Sequence, residues 1–186
     1  MIKRLLSSAS WRVWLAIVGS GTLIIGTAYV TVQQSTRLSA QDLPLQTAQT
    51  IKHQLDSGAA PQSVIPATPT NLSSDATVFV TIADSQYKIV ASSSSLDGQP
   101  TLPPQGTFDY TRSHGSDHFS WEPLSGVRQA TQMLAYKNGF IITGQSLKPY
   151  ENRINTYGIL ALAGWLAMVM WSFLLIMLPS KKPAKL

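Results

Sequence analysis

Gly139-Phe-Ile-Ile-Thr-Gly-Gln145 leads through Ser146-Leu147-Lys148-Pro149 into Tyr150-Glu-Asn-Arg-Ile154, and then into an apolar stretch from Tyr157 to Leu178. The first segment is β-branched and aromatic and is bounded by turn residues, so it reads as a strand. Ser146 stands where a helix N-cap would stand, and Pro149 falls in the first turn, where its missing N–H costs little. Glu151 lies near the positive end of that helix, which is favourable. Arg153 is the last charge before the apolar run. The order predicts one helix continuous from about Leu147 into the apolar run, with Ser146, Pro149, Glu151 and Arg153 coupling the last strand to it.

No charged residue lies between Arg153 and Lys181, and none between Arg12 and Arg37. A helix needs about 20 apolar residues to cross roughly 30 Å of hydrocarbon, and residues 13–32 and 157–178 both meet that length. Neither run holds an Asp, Glu, Lys, Arg or His, so a proton or ion path through them is not expected. The small residues Ala16, Ser20, Thr22 and Gly26 in the first run, and Gly158, Ala161 and Gly164 in the second, permit close helix approach. Packing of the two helices on each other is the simpler use of them; a homodimer contact is the alternative.

Charge sets the orientation. Lys3, Arg4 and Arg12 precede the first run, and Lys181, Lys182 and Lys185 follow the second. All nine acidic residues lie between the runs with eight Lys or Arg, so the net charge of +5 belongs to the short tails. By the positive-inside rule the chain is expected to be a two-span cell-membrane protein with both termini cytoplasmic. Residues 1–12 and 179–186 are then the tails, and residues 33–156 lie outside. A cleaved signal peptide is the alternative for the first run, but its apolar core exceeds the usual 7–15 residues. The central region keeps no basic excess, which excludes a nucleic-acid partner. There is no cysteine, so this region must stand on its hydrophobic core.

Within 33–156, residues 33–58 read as a helix broken or kinked near Pro44, with Leu38, Leu45, Ile51 and Leu55 as its apolar positions and Gly58 closing it. Residues 59–76 are rich in Pro, Ser and Thr and read as a linker. Residues 77–145 form the sheet core. Its strands are Thr77–Ala83, Lys88–Ser92, His118–Glu122, Val127–Tyr136 and Phe140–Gln145, with a loop at 92–104 and a short helix within Pro103–Tyr110. Asp84–Tyr87 is a turn, and Lys137-Asn138-Gly139 is a hairpin turn in which Asn-Gly takes positive φ. Residues 146–156 form the helix into the membrane. The fold class is α+β, with an antiparallel sheet of about five strands between two transmembrane helices.

Asp84-Ser-Gln-Tyr-Lys-Ile-Val-Ala-Ser92, Gly126-Val-Arg-Gln-Ala130 and the run from Gly139 to Arg153 sit in this element order. From Thr77 to the end of the second run, the chain resembles the extracytoplasmic PAS-like or Cache-like sensor domains of bacterial membrane histidine kinases. The resemblance implies a small-molecule sensor domain whose pocket faces the sheet near Arg128. It does not extend to the kinase part, because only Pro179–Leu186 follows the second run. The expected function is therefore a sensor-like or accessory protein without catalytic output, acting through a membrane partner. The alternative is a structural subunit of a membrane or cell-envelope complex whose outer domain binds protein only.

Arg128, with Trp121 and Tyr136, is the candidate ligand site, because guanidinium recognises a small carboxylate or phosphate in bidentate fashion. A structural ion pair of Arg128 with Asp84, Asp109, Glu122 or another acid is the reading the residue types favour. Trp121, Phe79, Phe108, Tyr110 and Phe140 read as core or sheet-face residues. His114-Gly-Ser-Asp-His118 could begin a metal site through His114, Asp117 and His118, but zinc draws more ligands than this loop supplies. The serine run at Ser92–Ser95 has no nucleophile elbow, so no enzyme and no cofactor are expected. The expected partners are the lipid bilayer, a membrane protein or second copy, and a small anionic ligand.

Overall fold

The computed structural model describes residues 8–178, and Lys3, Arg4, Lys181, Lys182 and Lys185 lie outside the described residues. The chain divides into two compact units. One is Ser35–Asn152; the other is built from the residues up to Gln34 and those from Arg153 onward.

The Ser35–Asn152 unit is mixed α+β. Helix α1 (Ser8–Asp56) contributes its last stretch to it, followed by a 3-10 turn at Pro61–Val64. Strands β1 (Thr70–Asn71), β2 (Phe79–Asp84), β3 (Ile89–Ser92) and β4 (Ser94–Ser95) come next. After helix α2 (Gln105–His114) run β5 (Ser116–Leu124), β6 (Val127–Tyr136) and β7 (Gly139–Ser146). Five of these strands form one antiparallel sheet in the order β3-β2-β7-β6-β5. Helix α3 (Lys148–Met177) follows.

Alternation of side chains divides this sheet into two buried faces. Phe79, Ala83, Met133, Phe140 and Ile142 pack on one face with Trp121 from β5, Phe108 from α2, and Leu72 and Leu96 from the loops. Val80, Ile82, Leu134 and Ile141 face the other way, against Ala48 and Ile51 of α1. A third cluster joins Ala40, Ala130 and Leu147. Central strand β7 is buried along nearly its whole length, because both faces of the sheet are covered there.

Several sequence expectations are corrected. Helix α1 is not broken at Pro44; it runs through it to Asp56. Its sheet-facing positions are Ala40, Pro44, Ala48 and Ile51, whereas Leu38 is 68% exposed. Small residues let the helix lie close to the sheet, so the larger Leu38 is not the anchor. The 59–76 linker is pinned: β1 pairs in parallel with β4, within the expected 92–104 loop, and Leu72 is buried in the core. Helix α2 extends past Tyr110 to His114, where Gly115 caps it at φ 83°. Tyr110 is 49% exposed and stacks on His114 at 4.0 Å instead of joining the core.

In the hairpins φ is positive at Tyr87 (φ 65°), Gly126 (φ 80°) and Gly139 (φ 155°), so of the Asn-Gly pair the glycine and not Asn138 takes it. Gly139 is also required by crowding, because a Cβ there would strike the Ala83 carbonyl and the Asp84 backbone. Helix α3 starts at Lys148, one residue later than expected, with the Leu147 carbonyl accepting its first turn's Glu151 N–H at 2.9 Å.

In the other unit the early part of α1 and the body of α3 pack antiparallel. Trp14 meets Phe173 ring to ring at 6.1 Å, Trp165 Nε1 donates to Thr22 Oγ1 at 2.8 Å, and Tyr29 lies against Gly158. Both helices are long and apolar enough to cross a membrane. Leu23, Ile24, Ile159, Leu160 and Trp171 are each more than 60% exposed, a display that water would penalise.

Candidate functional site

The sequence candidates do not converge on one pocket. Arg128 and Tyr136 lie eight positions apart on β6, which at 3.3 Å or so per residue is roughly 26 Å. Trp121 pairs with Gln129 across β5 and β6, and it packs edge-on to Phe79 at 6.3 Å on the α2-facing side. Arg128, one residue from Gln129, points to the opposite face. Tyr136 joins the cluster that packs against α1, and burial there, followed by the nearby Asp84 carboxylate, raises its phenol above the ordinary range.

What the fold does bring together is Arg128 and the root of α3. Arg128 Nη1 pairs with Glu151 Oε1 at 2.5 Å, with both side chains about two-fifths exposed. The Leu147 N–H donates to the Arg128 carbonyl at 2.8 Å, and the Lys148 N–H reaches Ser146 Oγ at 3.3 Å. The ion-pair reading of Arg128 thus has its acid, although it is Glu151 and none of the three acids named from sequence. At this exposure the pair contributes little to stability by itself. Pro149 sits in the first turn of α3, and Arg153 lies further along the same helix.

Beside that pair runs a polar band between α1 and the sheet. Gln145 is buried, and its Nε2 donates both to the Ala40 carbonyl at 3.0 Å and to Tyr150 Oη at 2.9 Å. Ala40 is four residues before Pro44, so its carbonyl is the one Pro44 leaves without a helix donor. The glutamine amide replaces the missing backbone N–H. Thr143 Oγ1 donates to the Pro44 carbonyl at 2.8 Å, and Gln132 Nε2 to Gln41 Oε1 at 3.0 Å. Pro44 was visible in the sequence, but the strand residue that satisfies its helix was not.

A second cluster was missed altogether. The Tyr87 hydroxyl donates to Asp109, and the Arg112 guanidinium lies 4.9 Å from the Tyr87 ring centre and 5.7 Å from that of Phe140. Arg112 Nη2 also donates to the Ser85 carbonyl at 2.9 Å. The hydrogen bond to Asp109, helped by burial, raises the Tyr87 phenol above its usual range. These contacts tie the β2–β3 turn to α2. Their only sequence signal was the concentration of polar residues at the turn.

His114, Asp117 and His118 do not assemble. His114 ends α2 and shares its Nδ1 with Ser113 Oγ at 2.8 Å, while Asp117 and His118 are successive residues of β5 and point to opposite faces. Among the described residues no group of three or more His, Cys, Asp or Glu is placed to hold a metal.

No protein-family model matches this chain, and no curated protein or solved structure matches it either. Its function must be argued from its own geometry.

Proposed function

We propose that this chain is a two-span cell-membrane protein whose central region lies outside, acting as a sensor-like or accessory protein through a membrane partner. The observation that carries the membrane part is the pair of helices clothed in exposed large apolar side chains. The charge asymmetry of the tails orients it, with residues 13–32 and 157–178 as the spans and both termini cytoplasmic. The element order of the Ser35–Asn152 unit supports the PAS-like or Cache-like resemblance. The occupied Arg128 and the side-chain-filled sheet face favour the second reading, a structural subunit whose outer domain binds protein only.

Orientation is tested on a chain that has no native cysteine. Ser125→Cys, in the exposed β5–β6 turn, should react with a membrane-impermeant thiol reagent on intact cells, whereas Ser180→Cys should not. The reverse pattern overturns the topology. Sensing is tested by melting the full chain in detergent against a panel of small mono- and dicarboxylates. An anion taken up at Arg128 must displace Glu151, so it should raise the melting temperature with occupancy, and Arg128→Ala should abolish that rise. A flat response across the panel decides for the structural subunit.

A further inference from the structure

The unit built from the residues up to Gln34 and those from Arg153 onward holds no Asp or Glu, but it holds seven Lys or Arg. Its cations therefore meet no side-chain carboxylate within the unit. Six of the seven, Lys3, Arg4, Arg12, Lys181, Lys182 and Lys185, lie before the first apolar run or after the second.

Helix pairing brings both groups to one end. Trp14 and Phe173 meet at 6.1 Å and mark one level of the antiparallel pair. From that level α1 runs back two residues to Arg12, and α3 runs on four residues to Met177. At 1.5 Å per residue these positions lie about 3 and 6 Å beyond the contact, on the same side of it. Chain length alone keeps Arg4 within roughly 15 Å of Ser8, and Lys182 within roughly 15 Å of Leu178. Trp11, 43% exposed, stacks on Trp14 at 4.8 Å beside Arg12. Indole rings at the end of an apolar helix mark headgroup depth, where one side of the ring meets hydrocarbon and the other meets polar groups.

We propose that this end of the helix pair binds anionic phospholipid, with Arg12 and the lysines that follow α3 meeting the headgroup phosphates. The inference rests on the two-span reading above, but not on which leaflet the end faces. Charge complementarity selects the occupant. Cations with no acid in their unit repel one another, and a second copy packed parallel here would double that charge. Anionic headgroups cancel it. A zwitterionic headgroup carries an ammonium beside its phosphate and cancels far less. Arg12 adds a fork that matches phosphate oxygens in pairs.

The test uses the full chain, which has no native cysteine, reconstituted in phosphatidylcholine vesicles. A bimane label is attached at Ser180→Cys or, toward the opposite end of α3, at Thr156→Cys. Thr156 lies 21 residues before Met177, about 32 Å along the helix. Nitroxide-bearing phosphatidylglycerol or phosphatidylcholine is added to both leaflets, and short-range quenching reports which lipid stands beside each label. Each cation engaged at a membrane surface favours an anionic headgroup about fivefold. The Ser180 label should therefore prefer phosphatidylglycerol at least about fivefold, and by more than the Thr156 label, which has only Arg153 close by in sequence. Arg12→Gln combined with Lys181→Gln and Lys182→Gln should bring the Ser180 preference close to one, whereas Arg12→Lys alone should keep it. Sodium phosphate should lower the preference no more than sodium chloride at equal ionic strength. Four results each overturn the proposal and leave the two-span reading standing: no preference at Ser180 in an inserted chain, equal preference at Thr156, survival of the preference in the triple variant, or selective displacement by inorganic phosphate. A chain that alkaline carbonate strips from the vesicles overturns that reading and the proposal with it.

Discussion

Gly144→Ala should lower the thermal midpoint of this protein by several degrees, although it adds a single methyl group to a central strand. A Cβ at Gly144 would lie 2.7 Å from Phe79 Cε1, 2.8 Å from its Cζ and 2.9 Å from the Ala130 carbonyl oxygen. Phe79 is 1% exposed and wedged edge-on against Trp121, so its ring has little room to withdraw. The carbonyl belongs to β6 and cannot move without breaking the β6–β7 register. Overpacking of this kind costs typically 1–3 kcal/mol, and relief of glycine's entropy cost returns only about 0.5–1. At about 2–4 °C per kcal/mol for a chain of this length, the loss is readily seen in a circular-dichroism melt of the full chain. Gly106→Ala is the matched comparison: it sits in exposed α2 with nothing within 4 Å of a Cβ, and it should be neutral or stabilising. Shortening the ring with Phe79→Leu should recover part of the Gly144→Ala loss, since the two residues share one space. Equal midpoints for Gly144→Ala and wild type would refute this account of the packing.

The elements of the sheet were legible because their period was. Val127–Tyr136 and the run from Gly139 carried enough β-branched and apolar residues to be placed to within a residue. The errors fell where tertiary contact overrides local preference. Pro44 reads as a helix break because an isolated helix loses a hydrogen bond there, yet Gln145 supplies the donor from 101 residues further along the chain. Thr70–Asn71 reads as linker because two residues carry no period, yet they pair with Ser94–Ser95. Leu38 outranks Ala40 in any apolar count, but a helix lying close on a sheet presents its small residues.

The candidate site was less legible for the same reason. Residue type favoured an ion pair at Arg128, and only the meeting of β6 with the root of α3 shows that its acid is Glu151. Trp121 is close to Arg128 in sequence and pairs near it across the hairpin, but the pleat sends the two side chains to opposite faces.

That long-range donor to the Ala40 carbonyl is itself open to measurement. Gln145→Leu conserves most of the side-chain volume but removes the amide that serves both the Ala40 carbonyl and Tyr150 Oη. Ala40 is fully buried and Gln145 is 4% exposed, so water cannot readily replace the lost partner. Each buried polar group left unsatisfied costs roughly 1–3 kcal/mol, which makes this one of the most damaging single changes available outside the apolar core. Pro44→Ala restores a backbone N–H four residues after Ala40, where a regular helix would place it. In that background the carbonyl keeps a partner when Gln145 is lost, and only the Tyr150 hydroxyl remains exposed to the change. The two substitutions should therefore be non-additive, with Gln145→Leu less costly by about 1 kcal/mol in the Pro44→Ala chain than in wild type. Thermal or denaturant midpoints of the four chains give that difference directly. If the two losses simply add, the Gln145 amide does not stand in for the Pro44 N–H, and the helix must tolerate its proline by another route. If the coupling appears, the polar band between α1 and β7 is what allows a proline to sit inside a continuous helix at the surface of the sheet.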